Sequence, residues 1–178
     1  MPTLADVVIC EAADRLDAWL RAQYGDPIGA ESGTPQNLMV VGMGKLGGGE
    51  LNVSSDIDLI FVYPEEGETK GARTLANQEF FTRLGQRIIA TLNDVMAEGQ
   101  VFRVDMRLRP WGDAGPLALS FDALEQYLVT QGREWERFAW LKSRVVAPRA
   151  SVLDGRARAL RSLVTPFVYR RYLDYGVF

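Results

Sequence analysis

Two aspartates separated by one residue stand at the start of a strongly apolar run. Asp56 and Asp58 precede Leu59-Ile60-Phe61, and residues two apart in a β-strand face the same side. Two carboxylates that close raise each other's proton affinity unless a cation lies between them. Because an unneutralised pair at a buried strand is costly, the spacing favours a divalent metal such as Mg²⁺, which prefers carboxylates together with substrate phosphates. In the alternative, Asp56 caps a turn and Asp58 pairs with a surface arginine.

A third carboxylate, Asp105, could complete this site. It lies between Arg103 and Arg107 on the polar side of a predicted strand. A carboxylate from a neighbouring strand would suit two-metal phosphoryl transfer, in which one ion activates the attacking oxygen and the other stabilises the leaving oxygen. The alternative is that Asp105 is simply ion-paired.

A glycine-rich segment directly before the acidic pair, residues 42–49, could hold a phosphate through its backbone N–H groups. The residues predicted to bind nucleotide or phosphate here are Gly44, Lys45, Gly47, Gly48, Ser54 and Ser55. The segment also matches G-x-G-x-x-G, but a nicotinamide-binding crossover needs a dozen or more residues, and Asp56 follows Gly47 by nine positions. We therefore expect a tight strand–turn–short helix–strand hairpin; a glycine turn without a ligand is the other interpretation.

Three basic residues are candidates for contacts with a phosphate. Arg107 and Arg109 could make bidentate contacts, although solvated or ion-paired arginines would look the same in the sequence. Lys142 falls in line with Phe138 on the apolar stripe of a helix predicted over residues 133–146. A lysine in that position either extends to the surface or reaches a phosphate in a cleft.

The apolar periodicity predicts an α/β (α+β) fold with a helix packed on a sheet and a helical C-terminal tail. The predicted elements are a helix over 4–24, a linker loop over 25–35, buried strands over 37–43 and 56–63, a helix over 77–96, an alternating strand over 101–108, and helices to the chain end after the N-cap Ser120. The predicted parts are an N-terminal helix and linker (1–36), a core (37–119) and a helical extension (120–178). The apolar final stretch, 175–178, suggests a fragment of a longer protein.

Composition excludes several chemistries. The 178 residues include no histidine and one cysteine, which rules out an imidazole base, a His-ligated zinc and an internal disulfide. The net charge of −3 disfavours general binding to DNA or RNA. No run reaches the ~18–20 apolar residues of a membrane span, and the N-terminus is too short and too acidic for a signal peptide. We expect a cytoplasmic protein without a membrane partner.

Two motifs carry a resemblance to a known family: GMGKLGGGELNVSSDIDLIF (residues 42–61) and VDMRLRP (residues 104–110). They resemble the bacterial bifunctional glutamine synthetase adenylyltransferase/adenylyl-removing enzymes, which belong to the nucleotidyltransferase superfamily with a polymerase-β-like palm. The resemblance extends through nearly the whole chain. It implies that the core is a polymerase-β-like palm, which is a mixed sheet with flanking helices, and that the parent protein is much longer.

That family has two nucleotidyltransferase domains: the N-terminal one removes AMP from a tyrosine of glutamine synthetase by phosphorolysis, and the C-terminal one attaches AMP from ATP. Residues 52–55 (NVSS), 132–137 (GREWER) and 167–172 (FVYRRY) resemble the removing copy. The resemblance implies that Asp56, Asp58 and Asp105 hold Mg²⁺, or Mn²⁺, while phosphate displaces the tyrosine and ADP is released.

The resemblance also implies partners. Glutamine synthetase would be the protein substrate, phosphate and ADP or AMP the small molecules, and the PII signalling protein and glutamine effectors of the full-length protein. Adenylyl removal is the favoured function. The alternatives are AMP attachment, a fragment that docks or senses without turnover, and a nicotinamide-dependent oxidoreductase based on the glycine pattern alone.

Overall fold

A computed structural model describes residues 3–52, 54–96, 99–100 and 102–171. The helices are α1 (Leu4–Tyr24), α2 (Gly44–Gly47), α3 (Asn77–Asn93), α4 (Phe121–Thr130), α5 (Glu134–Leu141), α6 (Arg149–Leu153) and α7 (Arg156–Val168), with a 3-10 turn at Gly112–Ala114. The strands are β1 (Pro27–Gly29), β2 (Met39–Met43), β3 (Ile57–Tyr63), β4 (Gly67–Thr69), β5 (Val95–Met96), β6 (Gly99–Gln100), β7 (Val104–Asp105), β8 (Ala118–Ser120) and β9 (Arg144–Ala147).

A mixed five-stranded sheet lies at the centre, in the order β7-β3-β2-β9, with β8 also paired to β3. β2 is antiparallel to β3 and to β9, whereas β7 and β8 run parallel to β3. β7 pairs with the first residues of β3, and β8 pairs with its last three. The start of β3, where the acidic motif lies, therefore has β2 on one side and β7 on the other.

Helices cover both faces of this sheet, which explains why its two central strands are apolar on both sides. On the first face, α1 and α3 pack against alternate residues of β3; this core includes Ile9, Leu20, Leu59, Phe61, Phe80, Leu84 and Ile88. On the second face, α4, α5 and α7 supply the cover; that core includes Met39, Val41, Met43, Ile60, Val62, Leu124, Trp140, Leu160 and Val164. By the strand alternation, Asp58 projects on the second face together with Ile60.

Helix α1 is connected to the glycine-rich segment through one arginine. Thr3 and Asp6 form a reciprocal capping box at the start of α1. Arg144 of β9 donates from Nη2 to Asp6 Oδ1 and to the carbonyl oxygen of Leu46 in α2, both at 3.0 Å. This contact joins α1, α2 and β9, and it holds the short helix that follows β2.

The structure confirms the predicted helix over 4–24, the buried strands over 37–43 and 56–63 to within two residues, and the N-cap Ser120, which accepts from the N–H of Ala123. The fold is mixed α/β, as predicted. The hairpin expected around the glycines is confirmed too, since α2 has four residues and joins two antiparallel strands.

Three element predictions are wrong in part. Residues 25–35, expected as a loop, contain β1, which pairs with β4. The helix expected over 77–96 ends at Asn93, and Val95–Met96 form β5. Within residues 102–108, the strand expected over 101–108 is reduced to Val104–Asp105, which pair with Ile57 and Asp58 of β3. Residue 101 lies outside the described residues.

The helix predicted over 133–146 is wrong in part as well. α5 ends at Leu141, and residues 144–147 form β9, which places part of the predicted helical extension in the central sheet. Trp135 and Phe138, expected on a buried stripe, are 48% and 71% exposed. The end of the predicted C-terminal helices, residues 172–178, lies outside the described residues, as does the apolar stretch 175–178. No helix among the described residues has the length and hydropathy needed to cross a bilayer.

Candidate active site

The structure brings the backbones of the three predicted aspartates together. Asp58 on β3 is the parallel partner of Asp105 on β7, and the N–H of the preceding Ile57 donates to the carbonyl oxygen of Arg103 at 2.9 Å. Asp56 comes two residues before Asp58, just ahead of the strand. The two residue pairs between β3 and β7 therefore place the backbones of all three aspartates at the same end of the sheet.

The glycine turn lies against Asp58. Gly44 has a φ of +53°, and a Cβ placed on it would lie 2.7 Å from Asp58 Oδ2. Only glycine adopts this conformation at little cost, and only glycine leaves room for the carboxylate. A Cβ on Gly47 would lie 1.9 Å from the carbonyl oxygen of Lys142. Both glycines are thus required by close approaches of the chain around the acidic residues.

The electrostatics of the three carboxylates differ. Burial raises the pKa of Asp58, the charges of Asp105 and Asp56 raise it further, and Arg107 lowers it only in part. The side chain of Arg107 donates to Asp105, and this lowers the pKa of Asp105 despite its partial burial. Burial and the neighbouring carboxylates thus both disfavour the charged form of Asp58, and a bound cation would favour it.

Two of the carboxylates are paired with arginines. Arg103 donates to Asp56, and Arg107 donates to both oxygens of Asp105, at 2.6 Å for Nη2 to Oδ2. Within the described ranges, no group of three or more His, Cys, Asp or Glu side chains is arranged so that it could hold a metal ion. The ion pair weighed as the alternative for Asp105 is present, and the metal assignment of the three aspartates stays a prediction.

The candidate phosphate-binding residues of the turn occupy the adjoining surface. Lys45 and Gly48 are exposed. The hydroxyls of Ser54 and Ser55 both donate to Asn52 Oδ1, at 3.3 and 2.5 Å. The sequence analysis did not single out Asn52, although asparagine is one of the residue types that favour turns.

The two arginines predicted to contact a phosphate lie in different environments. Arg107 has a side chain that is 74% exposed, beside the acidic group. Arg109 is largely buried and donates to the carbonyl oxygens of Met106 and Asp113, so it stabilises the loop after β7.

Lys142, expected on a helix stripe, instead follows α5. Its Nζ lies 3.2 Å from both carboxylate oxygens of Glu50, and its carbonyl oxygen approaches Gly47. The structure thereby brings Lys142 to the glycine turn from a distant part of the chain. Glu50, its partner, was missed because nothing in the sequence links the two.

The antiparallel pairing of β2 with β3 bears on the nicotinamide alternative. A dinucleotide-binding unit requires a parallel crossover through a full helix, but α2 has four residues and the flanking strands are antiparallel. The glycine pattern here is therefore not a dinucleotide fingerprint.

Four features together define a nucleotidyltransferase-like α/β domain. They are a mixed sheet with helices on both faces, an Asp-x-Asp motif at the start of a strand, a third aspartate on the neighbouring parallel strand, and a glycine turn. A family model for glutamate-ammonia ligase adenylyltransferase matches residues 1–158. The chain belongs to this family.

Several relatives carry the description bifunctional glutamine synthetase adenylyltransferase/adenylyl-removing enzyme. The protein from Chromobacterium violaceum is 65% identical over 156 residues, which covers 88% of this chain and 17% of the relative. The proteins from Neisseria meningitidis serogroup B and Ralstonia nicotianae are 60% and 57% identical to this chain. Their alignments cover 98% and 99% of this chain, respectively, and 19% of each relative. The chain thus spans less than a fifth of the length of these relatives.

Proposed function

We propose that this chain carries the adenylyl-removing activity: phosphorolysis of the AMP–tyrosine bond of adenylylated glutamine synthetase, in the cytoplasm, with release of ADP. The relatives' descriptions supply the protein substrate and two activities, attachment and removal. The main structural support for an active site here is the pairing of Asp58 with Asp105. Asp56 lies two residues from Asp58 along the chain, and Gly44 packs against the Asp58 carboxylate. Residues 52–55 and 132–137, which resemble the removing copy, favour removal over attachment.

The donor set suits Mg²⁺ or Mn²⁺. Asp56, Asp58 and Asp105 offer hard carboxylate oxygens. Burial, and then the charges of Asp105 and Asp56, raise the pKa of Asp58, and a bound cation would oppose this rise. These three residues would hold the ion, and Arg103 and Arg107 would release their carboxylates when it binds. When bound, the metal would offset negative charge on the phosphoryl oxygens and lower the barrier to in-line displacement.

The chain's own residues would bind and orient the two phosphorus groups. Backbone N–H groups of the glycine turn, together with Lys142 and the arginines freed from their carboxylates, would hold the incoming phosphate. An oxygen of that phosphate forms the new bond to the adenylyl phosphorus, and the bond from phosphorus to the tyrosine oxygen breaks. The phenolate takes up a proton, and because its pKa is about 10 it is a fair leaving group without a dedicated acid.

The test is a pair of assays on the same purified chain. The first supplies adenylylated glutamine synthetase, phosphate and Mg²⁺ and measures ADP; the second supplies unmodified glutamine synthetase and ATP and measures AMP incorporation. The proposal is supported if the chain forms ADP in the first assay, and if both EDTA and the Asp58→Asn substitution abolish that ADP formation. AMP incorporation without ADP formation, or neither reaction under conditions where a full-length relative is active, overturns it for this chain.

A further inference from the structure

Arg144, the first residue of β9, contacts the glycine turn at its short helix. Its backbone pairs with Gly42 of β2, and its Nη2 donates to the carbonyl oxygen of Leu46 in α2 at 3.0 Å. The N–H of Gly49 donates to the same oxygen at 3.2 Å. Two donors from distant parts of the chain therefore fix the direction of this one carbonyl group, in the middle of the turn.

The orientation of the Leu46 carbonyl group also fixes that of the next N–H. A peptide group is planar and trans, so the carbonyl oxygen of Leu46 and the N–H of Gly47 point in opposite directions and rotate together. Gly47 is also packed closely, because a Cβ on it would lie 1.9 Å from the carbonyl oxygen of Lys142. Residues 142 and 144 therefore both hold this peptide group, one by packing and the other by a hydrogen bond.

Arg144 is itself held by a buried carboxylate. The same Nη2 donates to Asp6 Oδ1 at 3.0 Å, and the side chain of Asp6 is only 9% exposed. Salt screens a partly buried pair of this kind less than an exposed one. Asp6 is fixed in the first turn of α1 by its reciprocal hydrogen bonds with Thr3. One guanidinium nitrogen thus links the start of α1 to the peptide group in α2.

The guanidinium group of Arg144 lies away from the acidic residues. It reaches α1, which packs on the first face of the sheet, whereas Asp58 projects on the second face together with Ile60. We therefore expect Arg144 to influence the reaction through the glycine turn and not by touching the phosphate.

We propose that Arg144 is a positioning residue, which with Asp6 fixes the peptide between Leu46 and Gly47 in the orientation that binds the incoming phosphate. The proposal rests on the phosphorolysis proposed above and deepens it, because it assigns part of the phosphate affinity of that site to a contact with α1. It gives α1, which carries none of the candidate site residues, a part in the reaction.

Hydrogen exchange of residues 44–50, measured by mass spectrometry, tests the proposal without turnover. The N–H groups of Gly48, Gly49 and Glu50 donate within the turn, and inorganic phosphate added with Mg²⁺ should slow the exchange of this segment further. Arg144→Met keeps an unbranched side chain but removes both contacts. It should exchange faster and need at least tenfold more phosphate for the same protection, and Arg144→Lys, which keeps a charged donor, should lie between it and the wild type.

Arg21→Met is the matched control. Arg21 also pairs with a carboxylate, that of Asp17, and also donates to a backbone carbonyl oxygen, that of Gln36. Its hydrogen bonds within the described residues all lie between residues 17 and 37, away from the glycine turn. The variant should therefore lose stability as Arg144→Met does, but its turn should exchange, and be protected by phosphate, as in the wild type.

The kinetics of phosphorolysis give a second measurement. Arg144→Met should raise the KM for phosphate at least tenfold and leave kcat at saturating phosphate within about threefold of the wild type, because the contact acts on phosphate binding. Asp6→Ala should raise the KM in the same direction. Since Asp6 acts through Arg144, the double variant Asp6→Ala/Arg144→Met should have the KM of Arg144→Met alone.

Three results would overturn the proposal: no protection of the wild-type turn by phosphate, equal exchange and protection in the wild type and Arg144→Met, or a loss of stability in Arg144→Met with an unchanged KM for phosphate. Protection that depends on Arg144 in a chain that forms no ADP would instead overturn the phosphorolysis and leave the role of Arg144 in place.

Discussion

The carboxylate of Asp58 occupies space that any side chain at Gly44 would need. A Cβ on Gly44 would lie 2.7 Å from Asp58 Oδ2, and Gly44 also has a positive φ of 53°. Gly49, five residues later, has a similarly positive φ of 71° but no atom within 4 Å of its Cβ position. Substitutions at these two glycines can therefore distinguish the effect of backbone strain, which both positions share, from the effect of contact with Asp58, which only Gly44 makes.

Gly44→Ala and Gly49→Ala make this a matched comparison. Both should lose about 1–2 kcal/mol of unfolding free energy, because alanine is strained in the left-handed region. Only Gly44→Ala should also displace Asp58, lose additional stability and abolish turnover. Urea denaturation and ADP formation measure the two effects; equal activity of the two variants would contradict a functional contact between Gly44 and Asp58.

Asp58→Asn should separate stability from activity. Because the fold raises the pKa of Asp58, the ionised side chain destabilises the protein at neutral pH. The neutral amide should therefore leave the melting temperature unchanged or higher, while ADP formation falls by several orders of magnitude. Glu125→Gln, an exposed change of the same kind on α4, is the control and should retain full activity. Wild-type turnover by a folded Asp58→Asn would end the metal assignment.

The Lys142–Glu50 ion pair can be broken from either side. Both side chains are more than half exposed, so the pair contributes at most about 1 kcal/mol to stability. If Lys142 holds the incoming phosphate, Lys142→Met should raise the KM for phosphate about tenfold or more, whereas Glu50→Gln should not, because it leaves the cation in place. Equal effects of the two changes would assign Lys142 a purely structural role.

The stability that Asp6 contributes should depend on pH. Burial opposes its ionisation, but hydrogen bonds from Arg144 and Thr3 outweigh burial and hold its pKa below the ordinary 3.8. A lowered pKa means that the contribution is complete above the unfolded value and disappears as the pH falls through the folded value. Asp6→Asn should therefore cost about 1–2 kcal/mol at pH 7, and its stability should converge with that of the wild type in acid.

Thr3→Ala provides the control for that measurement. It removes the hydroxyl of the capping box but leaves the contact between Asp6 and Arg144. Its loss, about 1 kcal/mol, should change much less than that of Asp6→Asn between pH 7 and the acid range in which the Asp6 contribution disappears. A loss in Asp6→Asn that equals this value and does not shrink in acid would show that the ion pair contributes nothing.

The parts of the site that could be predicted from the sequence are those set by local geometry. Alternation along a strand places Asp56 and Asp58 on one side without knowledge of the partner strands. The glycine spacing alone limits the connection to a hairpin. Asp105 was found because it is the one carboxylate on an alternating segment, although that segment forms only a two-residue strand.

What could not be predicted depends on distant pairing. Residues 144–147 are too short to distinguish a strand from a helix by periodicity, and they form β9 only because β2 offers a free edge. The position of Lys142 beside the glycine turn follows from that pairing. β1 was missed for the same reason, since its three residues are a strand only against β4.

The pairing of β9 with β2 has a consequence for how the domain can be divided. β2 is buried along its whole length and lies between β3 and β9. A piece that ended at residue 119 would contain every aspartate of the site, yet it would present the bare hydrogen-bonding groups of β2 to any other extended chain. Self-association through that uncovered edge would then compete with folding, so the last third of this sequence protects its middle.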